Sequence, residues 1–128
     1  MDIIAIPTEG NGGLKDKVNP KFGKSKIFTI INIEKGEIVE VKAIYNPAFN
    51  SEGSFGTLTS QFLSNQKVNI IITDLIGPNA FTVLNDSYIK IFQTPSRELS
   101  IKEVINLFLK NKLPEIKKPN VMSHLHKE

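Results

Sequence analysis

The stretch VNIIITDLIGPNAF, residues 68–81, decides how the rest of the chain is read. Val68 to Ile72 is a short apolar run rich in β-branched residues, the pattern of a strand buried on both faces. Thr73-Asp74 ends the run. Gly77-Pro78-Asn79 then opens a helix, because the missing N–H of Pro78 is no loss in a first helical turn. Ala80, Phe81 and Leu84 give that helix a core face. A buried strand feeding directly into a helix is half of a right-handed parallel crossover, so a sheet with helices packed on it is expected.

Downstream, Tyr88 to Phe92 reads as the partner strand. Ser100-Ile101-Lys102-Glu103 is a capping box, in which hydroxyl and carboxylate satisfy each other's backbone donors. It opens a helix with Ile101, Val104, Ile105 and Phe108 on one face, ended by Pro114. Upstream, Phe55, Leu58, Phe62 and Leu63 recur at helical spacing over residues 54–66. Before them stand three strands. Ile3 to Ile6 is apolar and closed by Pro7. Ile27 to Ile33 is β-branched and aromatic. Ile38 to Ile44 points Val39, Val41 and Ala43 one way and Glu40 and Lys42 the other, so one wet face is expected. The turn at Glu34 to Glu37 uses Gly36 and joins the last two as a hairpin.

The order is β-β-β-α-β-α-β-α: an α/β domain with a mixed sheet and helices on both faces. Residues 1–113 form the single domain, and 114–128 read as a flexible tail. Tracing strand directions puts Thr8 to Lys26, Asn46 to Gly53, Thr73 to Asn79 and Gln93 to Leu99 on one edge. Open α/β sheets bind ligands at such an edge.

Composition narrows the function. A chain of 128 residues with 40% hydrophobic and 23% charged residues is ordinary globular material. A net charge of +3 and a pI near 9.1 fit an anionic ligand as well as a lysine-rich surface. With no cysteine there is no disulfide, thiolate nucleophile or Cys-ligated cluster. No signal peptide or membrane-length apolar run is visible, so a cytoplasmic protein without a membrane partner is expected. No G-x-G-x-x-G or Walker spacing and no aromatic-plus-basic stripe occurs, which argues against nucleotide and nucleic-acid binding.

The candidate chemistry gathers on the loop edge. The helix start at Gly77, Pro78 and Asn79 exposes N–H groups suited to an anion. Gly10, Gly12 and Gly13 allow close backbone approach. Lys21, Phe22 and Gly23 sit in a loop made basic by Lys15, Lys17, Lys24 and Lys26. Phe22 is read either as the loop's anchor or as a ring facing a ligand. Glu9, Glu52 and Asp74 could together hold Mg²⁺ for phosphodiester hydrolysis. His124 and His126 could bind a metal through neutral imidazoles.

Taken together, IAIPTEG (4–10), VNPKFGKSKIFTI (18–30), GEIVEV (36–41), Asn46-Pro47 and IGPNAF (76–81) resemble, in this order, the dinitrogenase iron–molybdenum cofactor biosynthesis family. That family includes the carriers NifX and NifY and the C-terminal domain of NifB. The resemblance covers residues 2 to 113. It implies a three-layer, ribonuclease-H-like α/β/α fold whose central mixed sheet has about five strands, with strand one beside strand four. It also implies binding, not catalysis: an iron–molybdenum or iron–sulfur cluster, or its precursor, with cofactor-assembly proteins as partners. Ser54, in the glycine-rich loop before the first helix, and Asp74 join the site residues on this basis. Two positions depart from the family pattern. Lys21 stands where His is common, and Asp74 where Gly is common. A phosphodiesterase and a cofactor-free interaction adaptor, monomeric or dimeric through the edge of the third strand, are the other readings.

Overall fold

The computed structural model describes residues 1–53 and 55–121. In chain order the elements are β1 (Asp2–Thr8), β2 (Ile27–Glu34), β3 (Glu37–Tyr45), a 3₁₀ turn (Pro47–Asn50), α1 (Phe55–Asn65), β4 (Ile70–Thr73), α2 (Pro78–Asp86), β5 (Lys90–Gln93) and α3 (Ile101–Leu109). The strands form one five-stranded sheet in the order β3-β2-β1-β4-β5. β1, β2 and β3 pair antiparallel, whereas β1–β4 and β4–β5 are parallel. The expected mixed sheet is present, with β1 central beside β4.

The strands are apolar on both faces because both faces are covered. Ala5, Phe28, Ile30, Ile71 and Ile91 pack with Leu63 of α1 and Ala80 and Leu84 of α2. Ile4, Ile6, Ile31, Ile33, Ile70 and Ile72 pack with Ile101, Val104 and Ile105 of α3. Each fully buried Ile contributes roughly 1.5–3 kcal/mol of gross transfer free energy. Two cores flank the sheet, and the layers are α1/α2, sheet, α3. The capping box of α3 forms in full: Glu103 N–H donates to Ser100 Oγ (3.1 Å) and Ser100 N–H to Glu103 Oε1 (2.9 Å).

Four departures from the sequence reading have physical causes. Pro7 does not close β1, which continues to Thr8. The Pro7 carbonyl accepts Asn19 N–H (2.8 Å), so its nitrogen also points away from β2 and no bond of the β1–β2 ladder is lost. β5 starts at Lys90, not Tyr88. Tyr88 takes φ 60° and is 92% exposed, turning the chain out of α2 before Ile89 returns to the core. The hairpin turn holds both Lys35 (φ 53°) and Gly36 (φ 77°) left-handed, the two-residue turn whose twist suits β2 and β3. β3 lacks a dry face: only Val41 and Ile44 are half-buried, because the helices do not reach this edge strand.

The segment after Leu113, read from sequence as a tail, runs along β5. Gln93 N–H donates to Pro114 O (2.8 Å) and Ile116 N–H to Ile91 O (2.7 Å), and Ile116 is buried in the α1/α2 core. Asn120 then reaches the loop between β4 and α2.

Candidate functional site

The loop after β1 folds back on its own strand. Glu9 N–H donates to Lys17 O (2.9 Å), opposite the Asn19–Pro7 bond. Within this return the Asp16 carboxylate accepts Gly12 N–H and Lys17 N–H (both 2.8 Å), and Gly13 N–H donates to Thr29 Oγ1 (3.2 Å). Gly12 has φ +100°, and a Cβ there would overlap that of Ala43. A Cβ on Gly10 would stand 2.7 Å from Asp16 Oδ2. These glycines serve the loop's own packing, and the N–H groups of Gly12 and Gly13 are already engaged.

The next stretch behaves differently. Lys21 bridges to Leu75, which strings this loop beside the one entering α2. Phe22 is 3% exposed and meets Phe28 edge-on, with ring centroids 5.5 Å apart. It is the loop's anchor and is too deep to face a ligand. Gly23 lies against the first turn of α1: a Cβ there would be 3.2 Å from Gly56 N. A Cβ on Gly56 would in turn be 3.2 Å from Ala80 Cβ. Small residues thus bring the starts of α1 and α2 side by side, next to the loop carrying Lys21 and Lys24. The Lys24 ammonium stands 5.2 Å from the ring centroid of Phe55, the first residue of α1. Each helix start carries a partial positive charge, so this corner joins two such ends with the Lys24 ammonium and a loop that also carries exposed Lys21. At α2 the cap is Gly77, which offers no side-chain acceptor, followed by Pro78 and exposed Asn79.

A buried polar net fixes the corner. Asn46 is fully buried; its Nδ2 donates to Ser25 O and Thr59 Oγ1 (both 2.9 Å), and its Oδ1 accepts Ala48 N–H (3.1 Å). Thr59 Oγ1 donates onward to Gly23 O (3.0 Å). The loop, the 3₁₀ turn and α1 are tied at one point. On the other flank, Asn120 accepts Ile76 N–H (2.7 Å) and donates to Asp74 O (2.9 Å), clamping the entry to α2. Sequence reasoning placed residues 51–56 at the site but missed the roles of Asn46, Thr59 and Asn120. Asn46-Pro47 reads as a loop opener and a family motif but shows nothing of its burial, and Asn120 lies in a stretch without periodicity.

Asp74 belongs elsewhere. Its Oδ1 accepts from Ser96 Oγ (3.3 Å) and Gln93 Nε2 (3.5 Å). It lines a cleft of about 300 Å³ together with Glu9, Arg97 and Glu98, walled by Val18 and Leu99 of the α3-side core. Lys17 Nζ sits 3.0 Å from Glu98 Oε1, and that hydrogen-bonded ion pair raises the Lys17 ammonium above its ordinary value. On the α3 side, then, Glu9, Asp74 and Glu98 gather with Arg97 and Lys17 as their counter-charges, whereas the α1/α2 side brings two helix starts beside the loop of Lys21 and Lys24. Glu52 does not line the cleft, and among the described residues no three His, Cys, Asp or Glu side chains gather to hold a metal. The carboxylate site expected of a phosphodiesterase does not form. Of the expected site residues, Lys21, Gly23, Gly77, Pro78 and Asn79 converge at the corner. Gly10, Gly12, Gly13, Phe22 and Asp74 do not. Ser54, His124 and His126 lie outside the described residues.

Residues 2–111 match the family model described as dinitrogenase iron-molybdenum cofactor. The chain belongs to that dinitrogenase iron–molybdenum cofactor family. A family resemblance read from loop motifs is thereby matched over nearly the whole chain. The uncharacterized protein MJ0580 of Methanocaldococcus jannaschii is 36% identical over 110 residues, covering 86% of this chain and 87% of its own. The apo form of the orange protein from Desulfovibrio gigas superposes with a TM-score of 0.85 at 25% identity, over 94% of this chain and 98% of that one. A candidate NifB protein from Thermotoga, TM1290, superposes with a TM-score of 0.77 at 26% identity, over 94% and 98%. Both solved structures superpose on this family member's α/β fold, a mixed five-stranded sheet with three helices. Among its described residues, no helix is long and apolar enough to cross a membrane.

Proposed function

We propose that this family member is a non-enzymatic cytoplasmic carrier or assembly protein. Its cargo is an anionic iron–molybdenum or iron–sulfur cluster, or a precursor, held at the corner between the starts of α1 and α2. The observation that carries the reading is the contact of Gly56 with Ala80 beside Lys21 and Lys24. It brings two helix starts together beside a loop carrying two lysines, while Asp74 and Glu9 line a separate cleft with Glu98 and Arg97.

The donor set defines how such cargo would be gripped. The chain has no thiol, and its two imidazoles lie outside the described residues. A charged Lys21 cannot coordinate a metal. The grip is hydrogen bonding and charge, from helix N–H groups and lysines to the cluster's outer atoms, with the cargo keeping its own ligands. Such a hold is reversible, which suits delivery to partner proteins of cofactor assembly.

Anaerobic purification from the native source, followed by iron and molybdenum analysis and absorption spectroscopy, tests the reading. Substoichiometric or stoichiometric metal with a chromophore is expected. Metal-free, colourless protein from cells actively making such cofactors would refute it.

A further inference from the structure

The two edges of the sheet are treated differently. Outside β5, the segment from Pro114 to Ile116 supplies a short antiparallel partner: Phe92 bridges to Glu115, flanked by the Gln93–Pro114 and Ile116–Ile91 bonds. Outside β3 there is no strand neighbour among the described residues. β3 is nonetheless the longest strand, at nine residues, and it exposes Ile38 (37%) and Val39 (55%). A long free edge with apolar side chains is a template for another strand.

We propose that the partner is a second copy of this chain, paired antiparallel along β3 with the two-fold axis at Val41. The sequence EIVEVKAIY, residues 37–45, singles out that centre. A two-fold through Val41 sets Glu40 opposite Lys42 of the other copy, twice. It also sets Val39 opposite Ala43 and Val41 opposite itself. A two-fold through Glu40 or Lys42 would oppose like charges, which directly paired strands disfavour. Glu40 and Lys42 thus favour one register and oppose its near neighbours. The β2–β3 register shifts between Asn32 and Ile33, which leaves Val39 as the extra residue of a bulge. The added twist there confines the continuous pairing to Glu40–Lys42, with Val39 and Ala43 at its ends. An interface this short falls in the weak class, under roughly 1,200 Å². The dimer is concentration-dependent and loosens with salt.

Sedimentation equilibrium over roughly 10 µM to 1 mM, a span bracketing weak association, tests this with three proteins. The parent is expected to dimerise as concentration rises. E40K should weaken association at least about tenfold, because both cross-strand pairs become like-charged. The swap E40K/K42E should restore it. Glu40 also accepts a hydrogen bond from Asn32 Nδ2 (3.1 Å), and both variants lose that bond equally. Recovery in the swap therefore reports the pairing and not the fold. A parent that stays monomeric throughout, or a swap no better than E40K, overturns the proposal.

Discussion

Replacing Asn46 with Ala removes the polar net that ties the lysine loop to α1. Three hydrogen bonds disappear: two donated by Nδ2, to Ser25 O and Thr59 Oγ1, and one accepted by Oδ1 from Ala48 N–H. Thr59 keeps a use for its proton, on Gly23 O. The Ser25 carbonyl and the Ala48 amide have no comparable substitute, and both residues are buried. A buried group left unpaired costs about 1–3 kcal/mol, so N46A, which orphans two, should lose roughly 2–6 kcal/mol. That is a large share of the roughly 5–15 kcal/mol of a typical domain. At about 4 °C per kcal/mol for a chain of this length, the melting temperature should fall by roughly 10 °C or more. Urea unfolding should show a lower midpoint with an unchanged slope. The conservative T59V breaks the same net at its other end, and the two losses should be subadditive by about 1 kcal/mol in a double-mutant cycle. Amide shifts of N46A should concentrate at residues 21–25 and the start of α1. A melting temperature within about 2 °C of the parent would refute the reasoning. So would strict additivity with T59V.

Three further outcomes follow from the same geometry. K21A and K24A should each weaken binding of tetrathiomolybdate, a soft molybdenum–sulfur anion, by roughly threefold to fivefold, since an exposed charge contributes under about 1 kcal/mol. The effect should shrink in high salt, and a filter or equilibrium-dialysis assay reads it. N120A frees Ile76 N–H and Asp74 O, and should cost about 1–2 kcal/mol for two partly exposed bonds. Hydrogen exchange should quicken selectively at Ile76. The hydrogen bonds of Ser100, aided by nearby Arg97 and Lys17, hold the Glu103 carboxyl below its ordinary 4.5. A depressed carboxyl stabilises the fold above its unfolded pKa and loses that contribution as pH falls through the folded one. E103Q should therefore reduce stability near neutral pH and flatten its fall on the acid side, as pH-resolved thermal melts would show.

What the sequence made legible was whatever periodicity and turn chemistry encode. The uninterrupted Ile70-Ile71-Ile72 marked a central strand, and Ser100 with Glu103 marked the start of α3. The order of loops placed one edge apart from the other. Long-range side-chain bonds were not legible. Nothing local distinguishes the buried Asn46 from a surface turn residue, or shows that Asn120 bonds to residues 44 and 46 positions earlier. Glycines were legible as permissive but not as to purpose. Gly10, Gly12 and Gly13 looked like a ligand cradle and instead close around Asp16, whereas Gly23 and Gly56 were needed for element-to-element contact. Pro7 misled because its nitrogen faces away from β2, so the β1–β2 ladder runs past it. Asp74 departed from the family pattern, an acid where Gly is common. Its neighbours Gln93 and Ser96, remote in sequence, turn it toward a different cleft.

The claim that the α1/α2 corner is the binding site meets its most direct test in an amide-resolved NMR titration with tetrathiomolybdate at low salt. Perturbations are predicted at Lys21, Gly23, Lys24, Gly56, Asn79 and Ala80, with the cleft around Glu9, Asp74 and Arg97 left unmoved. Shifts centred on that cleft, or no saturable shift at the corner, would contradict the account.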